Sequence, residues 1–166
     1  ADGTYADREV VVHRGAVALV PMVGPDRVCL IKNDRYSVGE TLIEVPAGTI
    51  DPGGTPEETA ARELAEETGY RASRITRITD WWVSPGVLTE KMTLYLCEDL
   101  TEGPADHQPD ERLENLVVPW DEALAMVHDG RIRDAKTIVA LTLCDSLRRA
   151  KRVAKPRSDH SHEYMD

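Results

Sequence analysis

The chain contains no phenylalanine, and its Trp and Tyr residues bring the aromatic fraction to only 5%. Stacking on a planar ligand therefore rests on few candidates. These are Tyr36, Trp81, Trp82 and Trp120, most of them expected in the core or at an interface. Cysteine is also scarce. Cys29, Cys97 and Cys144 are odd in number and sit in apolar runs without metal-ligand spacing, so they read as buried free thiols in a reducing cytoplasm. Positive charge is the third shortage: 20 Lys and Arg against 30 Asp and Glu leave a net charge of −10. That balance argues against a nucleic-acid surface, which needs clustered Lys and Arg. No signal peptide and no apolar run long enough to cross a bilayer is found, so no membrane partner is expected.

What is present fits one domain. At 166 residues the chain can bury roughly two thirds of its unfolded surface. We assign the domain to residues 1–154 and expect the polar tail 155–166, which carries Pro156, to fray. Alternation and β-branched runs predict strands at 10–13, 14–22, 27–32, 41–45, 75–83, 91–97 and 113–118. Helical spacing appears at 121–127 and again at 135–153, through Val139, Leu143 and Leu147. Strands interleaved with helices in this order predict an α/β fold with a mixed sheet covered on both faces.

Residues 46–70 carry most of the chemistry. Thr55 is a good N-cap, Pro56 suits the first helical position, Glu58 completes a capping box, and Gly69 is placed to end the helix in a left-handed conformation. Within that helix Glu63, Glu66 and Glu67 fall at roughly 0°, 300° and 40° on the helical wheel, so one face concentrates three carboxylates. Ala61, Leu64 and Ala65 are expected to cover the opposite, core-facing side, leaving the carboxylates turned outward. Their mutual repulsion would become coordination around a hard divalent cation, which selects oxygen ligands. Three Glu by themselves fit an ordinary solvated helix better than a metal site.

The order of residues adds more. Gly48, followed at the right spacing by Arg62-Glu63-Leu64, Glu66-Glu67 and Gly69-Tyr70, resembles the Nudix box, G-x5-E-x7-R-E-U-x-E-E-x-G-U with U a bulky apolar residue. The resemblance implies a Nudix-type α/β/α sandwich that hydrolyses a nucleoside diphosphate linked to another group, with Mg²⁺ or Mn²⁺. It further implies Glu63 and Glu67 as the principal metal ligands, Glu66 as a further ligand or anchor with a catalytic share, and the Ala47 carbonyl as a backbone ligand. One position departs: the box's first Glu falls on Gly54. Asp51, Glu57 and Glu58 are the nearby carboxylates that could replace it, though none stands at the matching position.

Downstream, Ser84-Pro85-Gly86 places a proline sixteen residues after Gly69, which resembles the ADP-ribose diphosphatase branch of the Nudix hydrolases. Arg35 and Glu44 precede Pro46-Ala47-Gly48 as they do in that branch, and 110–114 resembles its acidic loop, with Glu111 the best match for a catalytic Glu. The resemblance thus implies Arg35, Glu44, Pro85 and Gly86 as substrate contacts and Glu111 as general base. It also implies a homodimer in which strands at about 9–22 help complete the partner's site, although apolar Val10, Val11 and Val12 would equally extend the chain's own sheet. The expected reaction is ADP-ribose to AMP and ribose 5-phosphate. Two alternatives stay open: another substrate, such as a nucleotide sugar or a dinucleoside polyphosphate, and a non-catalytic nucleotide-binding module, which Gly54 alone favours.

Overall fold

The computed structural model describes residues 3, 5, 7–105 and 112–154, with side chains as far as residue 150. Its centre is β1 (Ala16–Pro21), whose six residues are all buried. An apolar run with no polar alternation is what a strand covered on both faces requires. β1 lies between β4 (Ala47–Thr49), antiparallel to it, and β6 (Lys91–Glu102), parallel to it, and β5 (Tyr70–Trp82) closes the sheet in the order β4-β1-β6-β5. A second sheet, ordered β3-β2-β7, is formed by β3 (Glu40–Glu44), β2 (Arg27–Arg35) and β7 (Leu113–Pro119), all antiparallel.

Side chains alternate across β1 with period two, and each parity has its own cover. Val17 and Leu19 meet Ala60 and Leu64 of α1 (Pro56–Thr68), together with Tyr95 and Cys97. Ala16, Ala18 and Val20 face the other way, into a cluster with Ala123, Leu124 and Met126 of α2 (Trp120–His128) and Ala140, Leu141 and Cys144 of α3 (Ala135–Ala154). Helices therefore cover both faces of a mixed sheet, the α/β/α arrangement expected from the sequence.

Several boundaries moved. β4 was not anticipated: three residues, Ala-Gly-Thr, carry no alternation to read. β5 begins directly after α1 at Tyr70, five residues before the expected start. Residues 10–13 form no strand; Val11 makes one parallel bridge to Leu88 of its own chain and stays exposed with Val10 and Val12. The three cysteines are buried and free, and burial pushes the Cys29 and Cys97 thiols up to about 12 and Cys144 to about 11. Trp120 is core, Trp81 packs against the core, and Trp82 and Tyr36 are exposed.

Candidate metal and phosphate cleft

The helix α1 begins and ends where its capping residues direct. Thr55 Oγ1 accepts from the Glu58 N–H, the Glu58 carboxylate accepts from the Thr55 N–H, and Gly69 closes the helix at φ 76°. Its orientation differs from the expectation. Ala61 is exposed and Ala60 takes the core position beside Leu64. Glu63 and Glu67 are not turned outward but lie against β4, 8% and 5% exposed. The reason is tertiary: Leu64 must reach the Val17 and Leu19 face of β1, and the residues flanking it on the wheel are then carried to the end of that sheet, where β4 runs.

Two close approaches fix these carboxylates. The Ala47 N–H donates to Glu67 Oε2 at 2.9 Å. Gly48 leaves room for Glu63: a Cβ at position 48 would fall 1.9 Å from both the carboxylate carbon and Oε1 of Glu63. Any larger residue there would expel the carboxylate from its cradle. The Arg62 guanidinium sits among three further oxygens, 2.7 Å from Glu63 Oε1, 2.6 Å from Glu66 Oε2 and 3.1 Å from Asp51 Oδ2. Burial works to lower the Arg62 pKa, but Glu63, Glu66 and Asp51 together raise it. Of the three carboxylates considered as substitutes at Gly54, only Asp51 joins this cluster. Glu58 is spent on the helix cap, and Glu57 accepts from the Tyr95 hydroxyl at 2.7 Å.

These groups open onto a cleft of about 630 Å³ lined by Ala47, Gly48, Asp51, Arg62, Glu63 and Glu67 on one side and by residues 33–37 on the other. Four carboxylates (Asp34, Asp51, Glu63, Glu67) and two guanidiniums (Arg35, Arg62) line it. Among the described residues no three His, Cys, Asp or Glu side chains already converge as a metal cluster, and in this structure Arg62 supplies the positive charge instead. The donor set nonetheless fits a hard divalent ion. Every carboxylate is an oxygen ligand, the absence of a side chain at Gly48 admits one of them, and the lining carries more negative than positive charge.

The opposite wall is organised differently. The register of β2 and β3 places Arg35 across from Glu40, and period two puts Glu44 on the same face, so the Arg35 side chain reaches back along the strand to Glu44. It binds both oxygens, Nε to Oε1 at 2.8 Å and Nη2 to Oε2 at 2.6 Å. Lys136 Nζ donates to Oε2 as well, at 2.6 Å. Glu44 is 1% exposed. Burial alone would push its carboxyl up, but the Arg35 and Lys136 hydrogen bonds and charges outweigh this and hold it below the usual carboxylate range. The bond to Glu44 in turn raises Arg35. Lys136 had no signal in the sequence; it arrives because Asp134 caps α3, accepting from the Thr137 N–H at 3.0 Å, and so fixes the first turn.

The remaining sequence-derived positions lie elsewhere. Pro85 and Gly86 form the exposed turn between β5 and β6, where the Ser84 carbonyl accepts from Val87 and Leu88, and they do not line the cleft of their own chain. Glu111 lies outside the described residues. Arg112, the residue after it, lines a neighbouring groove of about 440 Å³ with Asp34, Arg35, Tyr36 and Thr41. Tyr36 is fully exposed and belongs to both cavities, a position that the sequence marked only by its ring. No helix among the described residues is long and apolar enough to cross a membrane.

The chain is similar to several known proteins. An ADP-ribose pyrophosphatase of Bacillus subtilis (strain 168) is 37% identical over 142 residues, covering 84% of this chain and 77% of that protein. A GDP-mannose pyrophosphatase of Pectobacterium atrosepticum is 39% identical over 103 residues, covering 60% of this chain and 53% of that protein. A solved structure described as an ADP compounds hydrolase superposes with a TM-score of 0.76 at 26% identity, covering 82% of this chain and 74% of the other. The sequence model of the NUDIX domain matches residues 12–141, which span the whole cleft, and the chain belongs to the NUDIX family.

Proposed function

We propose that this chain is a metal-dependent hydrolase of the diphosphate bond in a nucleoside diphosphate conjugate, with ADP-ribose as substrate and AMP and ribose 5-phosphate as products. The observation that carries the metal dependence is the charge of the cleft: four carboxylates against two guanidiniums would repel a diphosphate unless a cation intervened. Glu63 and Glu67 would hold Mg²⁺ or Mn²⁺, with Glu66 and the Ala47 carbonyl as further ligands. Bound there, such an ion would supply positive charge beside the phosphate oxygens and would lower the pKa of a water.

The chain's own residues do the rest. The water oxygen joins one phosphorus, the bridging P–O bond breaks, and the leaving phosphate keeps the bridging oxygen. Glu111 accepts the water's proton, with Glu66 the next candidate. Arg35, locked by Glu44, presents a half-buried guanidinium to the cleft, where its planar fork suits phosphate oxygens. Glu44 thereby contributes to substrate binding through Arg35. Tyr36 stands at the mouth of the cleft.

Pro85 and Gly86 enter this reading through assembly. Val10, Val11, Val12, Trp82, Val83 and Val87 are exposed, and Val11 bonds to the Val87 carbonyl beside Pro85 and Gly86 at 2.8 Å. A homodimer formed across this apolar margin would bring the turn of one chain towards the cleft of its partner. Residues 1–154 would act as one domain in the cytoplasm, consistent with three buried free thiols, and the acidic chain would leave nucleic acid alone.

The test is AMP release from ADP-ribose, nucleotide sugars including GDP-mannose (there as GMP) and dinucleoside polyphosphates, each with chelator, Mg²⁺ or Mn²⁺. Hydrolysis of ADP-ribose with metal and none with chelator is expected. Metal-independent turnover, or none of any substrate, would overturn the reading. A preference for GDP-mannose would move the substrate to the sugar-nucleotide class, which the second relative favours.

A further inference from the structure

The family pattern has a glutamate where this chain has Gly54, and the structure shows what stands in that space. Gly53 adopts φ 79° and the Gly54 N–H donates to the Asp51 carbonyl at 3.0 Å, so a tight turn brings positions 51 and 54 side by side. Gly54 itself is not in the left-handed region. A Cβ built on it would meet the Asp51 carbonyl oxygen at 3.5 Å and the Asp51 Cβ at 3.6 Å, ordinary contacts. A side chain at 54 would therefore leave the backbone beside that of Asp51. The Asp51 carboxylate already lies 3.1 Å from the Arg62 guanidinium.

We propose that Asp51 does the work of the missing box carboxylate, as a positioning residue that anchors Arg62 from the turn. The inference rests on the hydrolase reading above. Arg62 otherwise bonds to residues of its own helix, Glu63 and Glu66. A guanidinium held only by those two would spend its whole charge on the oxygens that a divalent ion needs. Asp51 draws part of that charge towards the cleft rim, so Glu63 can exchange Arg62 for a metal ion more readily. Because Asp51 lies outside the helix, it also ties the β4–α1 turn to the helix face that carries the ligands.

The test is a double-mutant cycle on the intact chain, read by calorimetric titration with Mn²⁺ and by thermal melting. Asp51→Asn keeps the shape and removes the charge; it should weaken Mn²⁺ binding about tenfold or more while the melting temperature hardly moves. Gly54→Glu alone should change Mn²⁺ affinity by less than about twofold, since its place is already served. In the Asp51→Asn background the same Gly54→Glu change should restore most of the lost affinity, a rescue that a purely structural role for Asp51 would not give. Asp51→Asn binding Mn²⁺ like the parent, or Gly54→Glu acting equally in both backgrounds, would overturn the role of Asp51 and leave the hydrolase reading standing. A parent chain that binds no Mn²⁺ would overturn both.

Discussion

Two clusters of arginine and carboxylate face each other across the cleft, one with its charges balanced and one with acid in excess. Around Glu44 the charges balance: Arg35 and Lys136 both bond to one carboxylate that is 1% exposed, and Lys136 also pairs with Asp134 at 3.1 Å. Around Arg62 the acids outnumber the cation: Asp51, Glu63 and Glu66 share one guanidinium, and Glu67 of the same helix accepts from the Ala47 N–H of β4. A buried charge is tolerated only when its partners repay the desolvation. The first cluster is satisfied without help and holds two sheet strands to α3. The second carries negative charge in excess, which is the electrostatic condition of a cation site rather than of a scaffold.

The largest effect should come from the acidic side. Glu67→Gln can still accept from the Ala47 N–H through its amide oxygen, so the fold should survive, but the negative charge proposed to hold the metal is removed. If that charge supplies several kcal/mol of transition-state stabilisation, kcat should fall by roughly 10²–10³-fold. A near-normal kcat, measured by AMP release, would remove Glu67 from the metal site. Next comes the proposed general base: Glu111→Gln should lower kcat about 100-fold or more with metal affinity and KM nearly unchanged. Glu114→Gln is its control, because Glu114 is exposed on β7 and bonds to Lys32 at 2.9 Å, a surface pair worth under about 1 kcal/mol. If Glu114→Gln cripples turnover and Glu111→Gln does not, the assignment of the base moves to Glu114.

The satisfied cluster should answer in stability instead. Glu44→Gln leaves the Arg35 and Lys136 cations facing a neutral amide. The loss should be about 3 kcal/mol, at the low end for a buried pair because Arg35 is partly solvated. For a chain of this size that is a fall of roughly 6–12 °C in melting temperature. Should Glu44→Gln melt normally while Glu67→Gln unfolds, the contrast between the two clusters would be reversed.

The smallest effect is a slope. The folded Glu44 carboxyl titrates below its unfolded value, so its contribution is fully present above the unfolded carboxylate pKa, about 4.3. That contribution is lost as pH falls through the lower, folded value. Melting temperature should therefore drop more steeply in acid for the parent than for Glu44→Gln, which has no group to protonate there. Parallel slopes would mean that the Arg35 and Lys136 bonds do not hold the carboxyl down.

How much of this was legible depends on the range of each interaction. Helix α1 could be read end to end because Thr55, Glu58 and Gly69 act on backbone groups three or four residues away. The central strand and the two covered faces were legible from apolar runs and helical spacing. The direction of the carboxylate face was not, because it depends on which helix face Leu64 buries against β1. β4 was missed because three small residues carry no periodic signal, and the strand exists only through its pairing with Ala16, Val17 and Ala18.

The amino-acid order by itself determined the ingredients of the cleft, namely the helix with its caps, its three glutamates, its arginine and the glycine at 48, since those are matters of local spacing and of residue identity. The tertiary structure decided how they are used. It turned Glu63 and Glu67 inward, brought Lys136 to Glu44 across 92 residues, and brought Asp51 to the Arg62 guanidinium of the helix. Charges act through distance in space, and the chain becomes close in space only where packing the two cores of the sheet forces it to be.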